Sequence, residues 1–160
     1  MEIGEDTYIA KTARIIGNVK IGKNCSIWEN AVIRGDLNEI EIGDGSNIQD
    51  CCVLHVSKEN KIKIGKNVSI GHGAIVHGAT IEDNCIVGIN ATVLDGCHIG
   101  KGSIIAANAV VTPNTEIPPH SLVAGVPAKV IKEDIKLEEM AKENARVYRE
   151  LAKRYLKGEF

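Results

Sequence analysis

Aromatic side chains are scarce in this chain: one Trp, three Tyr and one Phe, 3% of 160 residues. With so few rings, an interior has to be filled by aliphatics. No run of Lys and Arg marks a basic stripe, and a net charge of -2 offers no footing for nucleic acid. No apolar stretch approaches the ~18 residues of a membrane helix, and no signal peptide is evident. The expectation is a soluble, cytoplasmic protein with no membrane partner. The five cysteines are odd in number, and Cys25, Cys52, Cys85 and Cys97 share one position of a repeat. They read as packed, reduced thiols, not as a disulfide set or a Cys-rich metal site. The length leaves room for one domain and no linker.

What the chain does have is a period. Ile15, Ile21, Ile27 and Ile33 lie six apart, as do Ile42, Ile48 and Leu54, then Ile64, Ile70 and Val76. The series resumes at Ile81 and continues through Val87, Val93, Ile99, Ile105, Val111 and Ile117 to Val123. Four residues after most of these sits something small, such as Ala31, Ser46, Cys52, Ala74 or Ser103. A period of six matches neither a helix nor a lone alternating strand. It is the hexapeptide repeat of a parallel β-helix. Three short strands close one triangular coil of about 18 residues, and coils stack ~4.8 Å apart. The period stops near Ala124–Ile131. Beyond it Leu137, Met140, Ala141, Val147, Tyr148, Leu151 and Tyr155 recur at helical steps, with Asp134 as N-cap and Gly158 as stop. The expected organisation is all-β: a solenoid over residues 1–131, with a helix over 132–160 packed along it. Flat sides and an open end make a homo-oligomer the expected state.

The period lapses three times. Nine residues separate Ile33 from Ile42, ten separate Leu54 from Ile64, and only five separate Val76 from Ile81. Insertions are expected to leave the coil as loops on a functional side. Allowing for them, Arg34, His55 and His77 stack in one column, each directly after an inward aliphatic. Glu29, Asp50 and His72 form a second column, flanked by Trp28 and Gln49. Two histidines one coil apart can share a metal. His72 lies on another face, so within one chain it does not reach the same ion; a three-fold trimer would bring it to a neighbour's His55/His77 pair. Three histidines with an open fourth position are the catalytic arrangement for zinc. The assignment needs the missing residue to fall after His77. Arg34 and Asp36, with Asp50 in the His72 column, suggest an Arg–carboxylate network across a subunit interface. His98 and His120 read as solvated or turn residues.

The segments Ile27–Asp36, Asn47–Asp50, Val53–His55 and Gly71–Gly78 resemble the γ-class carbonic anhydrases and their close relatives, left-handed β-helix trimers. The resemblance covers essentially the whole chain, and Arg34-Gly35-Asp36, Gln49-Asp50 and the three histidines in order are its specific part. It implies that His55 and His77, with His72 of the partner subunit, bind Zn²⁺, Fe²⁺ or Co²⁺. It implies reversible hydration of carbon dioxide to bicarbonate. Gln49 would orient the attacking hydroxide, with Asn47 as partner for Gln49 or bicarbonate. Arg34, Asp36 and Asp50 would form the interface network, Arg34 would also favour bicarbonate, and Tyr148 would approach the pocket from the helix. Two features depart from the family prototype: Leu37 replaces a glutamate, and the short segment 56–61 carries Glu59 as its only acid. A metal-stabilised trimeric scaffold without activity, and a hexapeptide acyltransferase using a CoA or ACP thioester, are the alternatives.

Overall fold

A computed structural model describes residues 1–160. Most hexads become a strand of two or three residues whose aliphatic points inward. Ile27, Ile48, Ile70, Val87 and Ile105 form one such file, and Ile33, Leu54, Val76 and Val93 another, all fully buried. Burying each contributes roughly 1.5–3 kcal/mol. Between strands the chain turns through left-handed residues. Asn24, Asn30, Asn67, Asn84, Asn90, Asn108 and Asn114 take φ values of 53 to 60°, which Asn tolerates better than most residues. The small residue after each turn lets the corner close. Cys25, Cys52 and Cys85 fill such positions and donate to carbonyls of the next coil. Burial pushes their thiols up to about 11, 12 and 12 respectively, so they are packing groups. Cys51 alone is exposed.

Parallel pairing builds three faces of distinct character. On the first, the outward column runs Arg14, Val32, Val53, Ile75, Thr92, Val110. On the second it runs Glu2, Lys20, Glu41, Lys63, Thr80, His98, Glu116. On the third it runs Tyr8, Ser26, Asn47, Ser69, Ile86, Ile104, Leu122.

All three lapses fall at the corner between the first and second faces. The first insertion is not a loop. The strand Val32–Ile42 rounds the corner unbroken, pairing Gly35 with Gly17 and Ile40 with Val19, so the extra residues form a bulge. The correction has a simple cause: strand pairing on both sides holds the inserted backbone in extended form. The second insertion is a tight turn, where the Ser57 amide donates to the Asn60 carbonyl. The missing residue falls after His77, because Ile75–His77 pairs with Val53–His55 throughout and Thr80 then pairs with Lys63.

At the end of the stack, Ala128–Glu133 folds back antiparallel onto Ser121–Gly125, a hairpin the lost period did not reveal. The helix Lys136–Leu156 then returns along the third face to the first coil. Its 21 residues span roughly 31 Å, about the height of six or seven coils. Ile135 is its flanking residue, and Asp134, one position earlier, accepts the Lys136 amide at 2.9 Å. Gly158, with φ +76°, ends it. The buried stripe keeps Leu137 and Ala141 but otherwise differs from expectation: Met140 and Val147 face outward, whereas Ala145 and Ala152 lie against the strands. The third face presents Ser26, Asn47 and Ser69 there, so small residues on both sides let the helix approach closely. No helix is long and apolar enough to cross a membrane.

Candidate metal centre

Register places Arg34, His55 and His77 directly over one another at the edge of the first face. The His55 and His77 rings meet edge to face, with Nδ1 of His55 3.1 Å from Nε2 of His77. Asp36, on the bulge, lies 3.0 Å from Nε2 of His55 and accepts a hydrogen bond from Arg34. The Arg34 hydrogen bond, helped by His55, holds the Asp36 carboxyl below its ordinary range. Above His77, Oδ1 of Asp95 lies 2.5 Å from its Nδ1.

His72 sits at the opposite end of the first face, in the turn that leaves the third. Gly73 beside it takes φ +70°, and a Cβ there would lie 2.3 Å from Oδ1 of Asn90. Nδ1 of His72 is 2.8 Å from Asp50, and its Nε2 is 3.4 Å from the Tyr148 hydroxyl. Burial, then Asp50, pushes the Tyr148 phenol up. A buried amide chain runs underneath. The His72 amide donates to Gln49 at 3.2 Å, Gln49 donates to Asn47 at 3.0 Å, and Asn47 donates to Ser69 at 2.8 Å. Gln49 is thereby fixed at both ends of its carboxamide and keeps one N–H to spare.

The sequence columns are thus reproduced in space, in two groups. Arg34, Asp36, His55 and His77 form one; Asn47, Gln49, Asp50, His72 and Tyr148 form the other. Asp50 pairs with His72, not with Arg34, so within one chain the anticipated network is two separate pairs. No group of three His, Cys, Asp or Glu side chains in a single chain could hold a metal ion. An ion held by all three histidines would therefore need more than one chain. The donor set suits this. Each imidazole is backed by its own carboxylate (Asp36, Asp50, Asp95), the usual support for a metal-binding histidine. Four cysteines are sealed in the core, leaving a nitrogen set appropriate to Zn²⁺ or Fe²⁺.

Two neighbours escaped the sequence reading. Asp95 lies 18 residues beyond His77, but the coil there is one residue short, with Ile75 pairing with Thr92, so counting lands on Leu94 and misses it. Asn144 lines a cavity of about 340 Å³ with Gln49, His72 and Tyr148, and its Oδ1 is buried without a hydrogen-bond partner. Nothing in the helical pattern distinguishes it. Leu37 is half exposed on the bulge, and Glu59 is exposed on the neighbouring turn.

Known proteins resemble this chain in sequence and in fold. The family described as bacterial transferase hexapeptide (six repeats) matches residues 1–35 and 78–113, and the hexapeptide repeat of succinyl-transferase matches residues 61–88. A Methanocaldococcus jannaschii protein named "Probable carbonic anhydrase" is 54% identical over 97% of this chain and 94% of its own length. Gamma carbonic anhydrase 2, mitochondrial, of Arabidopsis thaliana is 41% identical over 81% of this chain; the chain spans 49% of that longer protein. In three dimensions, a hexapeptide transferase family protein from Anaplasma phagocytophilum matches with a TM-score of 0.92 and 38% identity, covering 96% of this chain and 92% of that one. With 54% identity over nearly its whole length to one protein named a carbonic anhydrase and 41% to a γ-class member, the chain belongs to the γ-class carbonic anhydrase family.

Proposed function

We propose that the protein is a homotrimeric, metal-dependent carbonic anhydrase that hydrates carbon dioxide reversibly to bicarbonate. Each of three sites would combine His55 and His77 of one subunit with His72 of the partner subunit, holding Zn²⁺ or, alternatively, Fe²⁺ or Co²⁺. The observation that carries this reading is the split histidine set. Two rings meet on successive coils, a third stands at another corner, and each has a carboxylate behind it. The first face supports the trimer, since its outward Val32, Val53 and Ile75 give a monomer an apolar column, with Val53 37% and Ile75 41% exposed. Four thiols kept reduced by burial fit a cytoplasmic setting.

A bound Zn²⁺ lowers the pKa of a water ligand to about 7, which supplies a nucleophile at neutral pH. The chain's own residues do the remainder. Gln49, locked between the His72 amide and Asn47, would aim its free N–H at the attacking oxygen. Arg34, held by an Asp36 that stays ionised, would present its other guanidinium donors to the bicarbonate anion. Tyr148, kept protonated by its raised pKa, serves as a hydrogen-bonding group near His72. Proton exit is the weak step: the bulge offers Leu37 and the neighbouring turn only Glu59, so soluble buffer has to carry the proton.

Stopped-flow hydration of carbon dioxide by protein of verified metal content tests the reading, with His77→Ala as reference. Turnover that disappears with the bound metal in the variant, and that rises with buffer concentration, supports it. Full metal occupancy without turnover would leave a metal-stabilised trimeric scaffold, the second reading that Leu37 favours. Retention of metal by His77→Ala would reject the ligand set itself.

A further inference from the structure

We propose that Asp95 is a positioning residue of this centre, holding His77 in the tautomer that leaves Nε2 free to bind a cation. The proposal rests on the reading of His77 as a ligand and gives the carboxylate behind that ring a definite task, the choice of tautomer. In the chain as it stands, Asp95 does little else. Its Oδ1 lies 2.5 Å from Nδ1 of His77, and that ring is the only side-chain partner of its carboxylate. Asp36, by contrast, divides its oxygens between His55 and Arg34.

The backbone is shaped for the contact. His77 ends its strand, and the chain then turns at Gly78 with φ +56°. A Cβ on Gly78 would lie 2.4 Å from Oδ1 of Asp95, so only glycine keeps the path from carboxylate to ring open. Asp95 itself follows Thr92–Val93, the strand stacked on Ile75–Val76, which carries it one coil above His77. An aspartate in such a turn could have capped backbone amides; here its oxygen is spent on the imidazole.

A carboxylate accepts and cannot donate, so the proton on His77 is fixed at Nδ1. The Nε2 lone pair then points towards His55, where a shared ion would sit. A carboxylate in this place also raises the basicity of the ligand, and its loss typically weakens metal binding 10–100-fold.

The test uses Asp95→Ala and Asp95→Asn beside the parent protein and His77→Ala. Long-range ¹H–¹⁵N NMR on histidine-labelled, metal-free protein reads the tautomer. Competition with a chromophoric chelator reads Zn²⁺ affinity, and thermal unfolding reads the fold. The expected result is Nδ1–H at His77 in the parent, a tautomer mixture in Asp95→Ala, and Zn²⁺ affinity 10–100-fold weaker. Asp95→Asn, whose amide oxygen can still accept from Nδ1, should recover most of that loss. It also preserves size if the alanine variant fails to fold. A purely structural aspartate would lower the unfolding temperature and leave tautomer and affinity alone. Unchanged tautomer with Zn²⁺ affinity within twofold of the parent overturns the proposal. If His77→Ala keeps its Zn²⁺, the ligand reading has failed, and the tautomer measurement alone then decides whether Asp95 sets the form of His77.

Discussion

At the scale of single residues, the site is a set of close approaches that tolerate little added volume. Gly78 is the sharpest case, since a methyl group there would meet both Oδ1 of Asp95 and, at 2.7 Å, Cβ of Asn60. Gly78→Ala should cost about 1–2 kcal/mol in denaturant unfolding, from left-handed backbone strain and crowding. It should also weaken Zn²⁺ binding in chelator competition. Leu54, fully buried one residue before His55, gives a different response. Leu54→Ala should destabilise by roughly 2–5 kcal/mol through its cavity, while the affinity of the folded protein for Zn²⁺ stays near that of the parent. Much of this level was legible in the sequence, because a strict period turns spacing into position: Arg34, His55 and His77 could be stacked by counting. The contacts of each histidine could not. Which nitrogen of each ring would meet a carboxylate depends on side-chain direction at a corner, which spacing leaves open.

Among the elements, the helix Lys136–Leu156 is held at its start by a charge cluster. Glu138, nearly buried, receives hydrogen bonds from Asn84 at 2.7 Å and pairs with His120 at 2.8 Å. Burial pushes its carboxyl up, but His120, Asn84, Lys101 and Lys142 together outweigh that and hold it at about 2. Because the folded value is depressed below the ordinary 4.5, the stabilisation is present above about pH 4.5 and is lost as pH falls towards 2. Thermal unfolding between pH 7 and 2 should show the parent losing more stability in that window than Glu138→Gln. Equal losses would mean the cluster does not anchor the helix. The far end is held by rings, with Tyr155 5.1 Å from Tyr8 and 5.0 Å from Trp28. The helix itself was evident from its periodicity. Its buried side was not, because alanine carries little hydrophobic signal and the small residues it meets belong to other coils.

For the whole molecule, the three outward columns divide the labour. The second face is polar, with charge alternating over its first four coils, and suits water; the third carries the helix; the first presents Val32, Val53 and Ile75 as a bare apolar stretch. If the protein is the proposed trimer, Ile75→Glu should convert it to monomer in sedimentation equilibrium and abolish tight metal binding, because each site would lose a histidine. Thr80→Glu, on the charged face, should leave the mass unchanged. The coils were legible from the period, whereas the bulge at residues 36–39, the closing hairpin and the bare apolar face emerged only once the strands had been paired. The returning helix has one more effect. A stack of repeats held only by nearest neighbours opens from its ends, with protection against amide hydrogen exchange fading towards the first and last coils. Here one rigid rod touches the strands Tyr8–Ile9, Ser26–Ile27, Asn47–Ile48 and Ser69–Ile70 together. Opening the first coil means releasing the rod from the others, so slow exchange should extend to the outermost strands it covers, and the protein should melt as one unit.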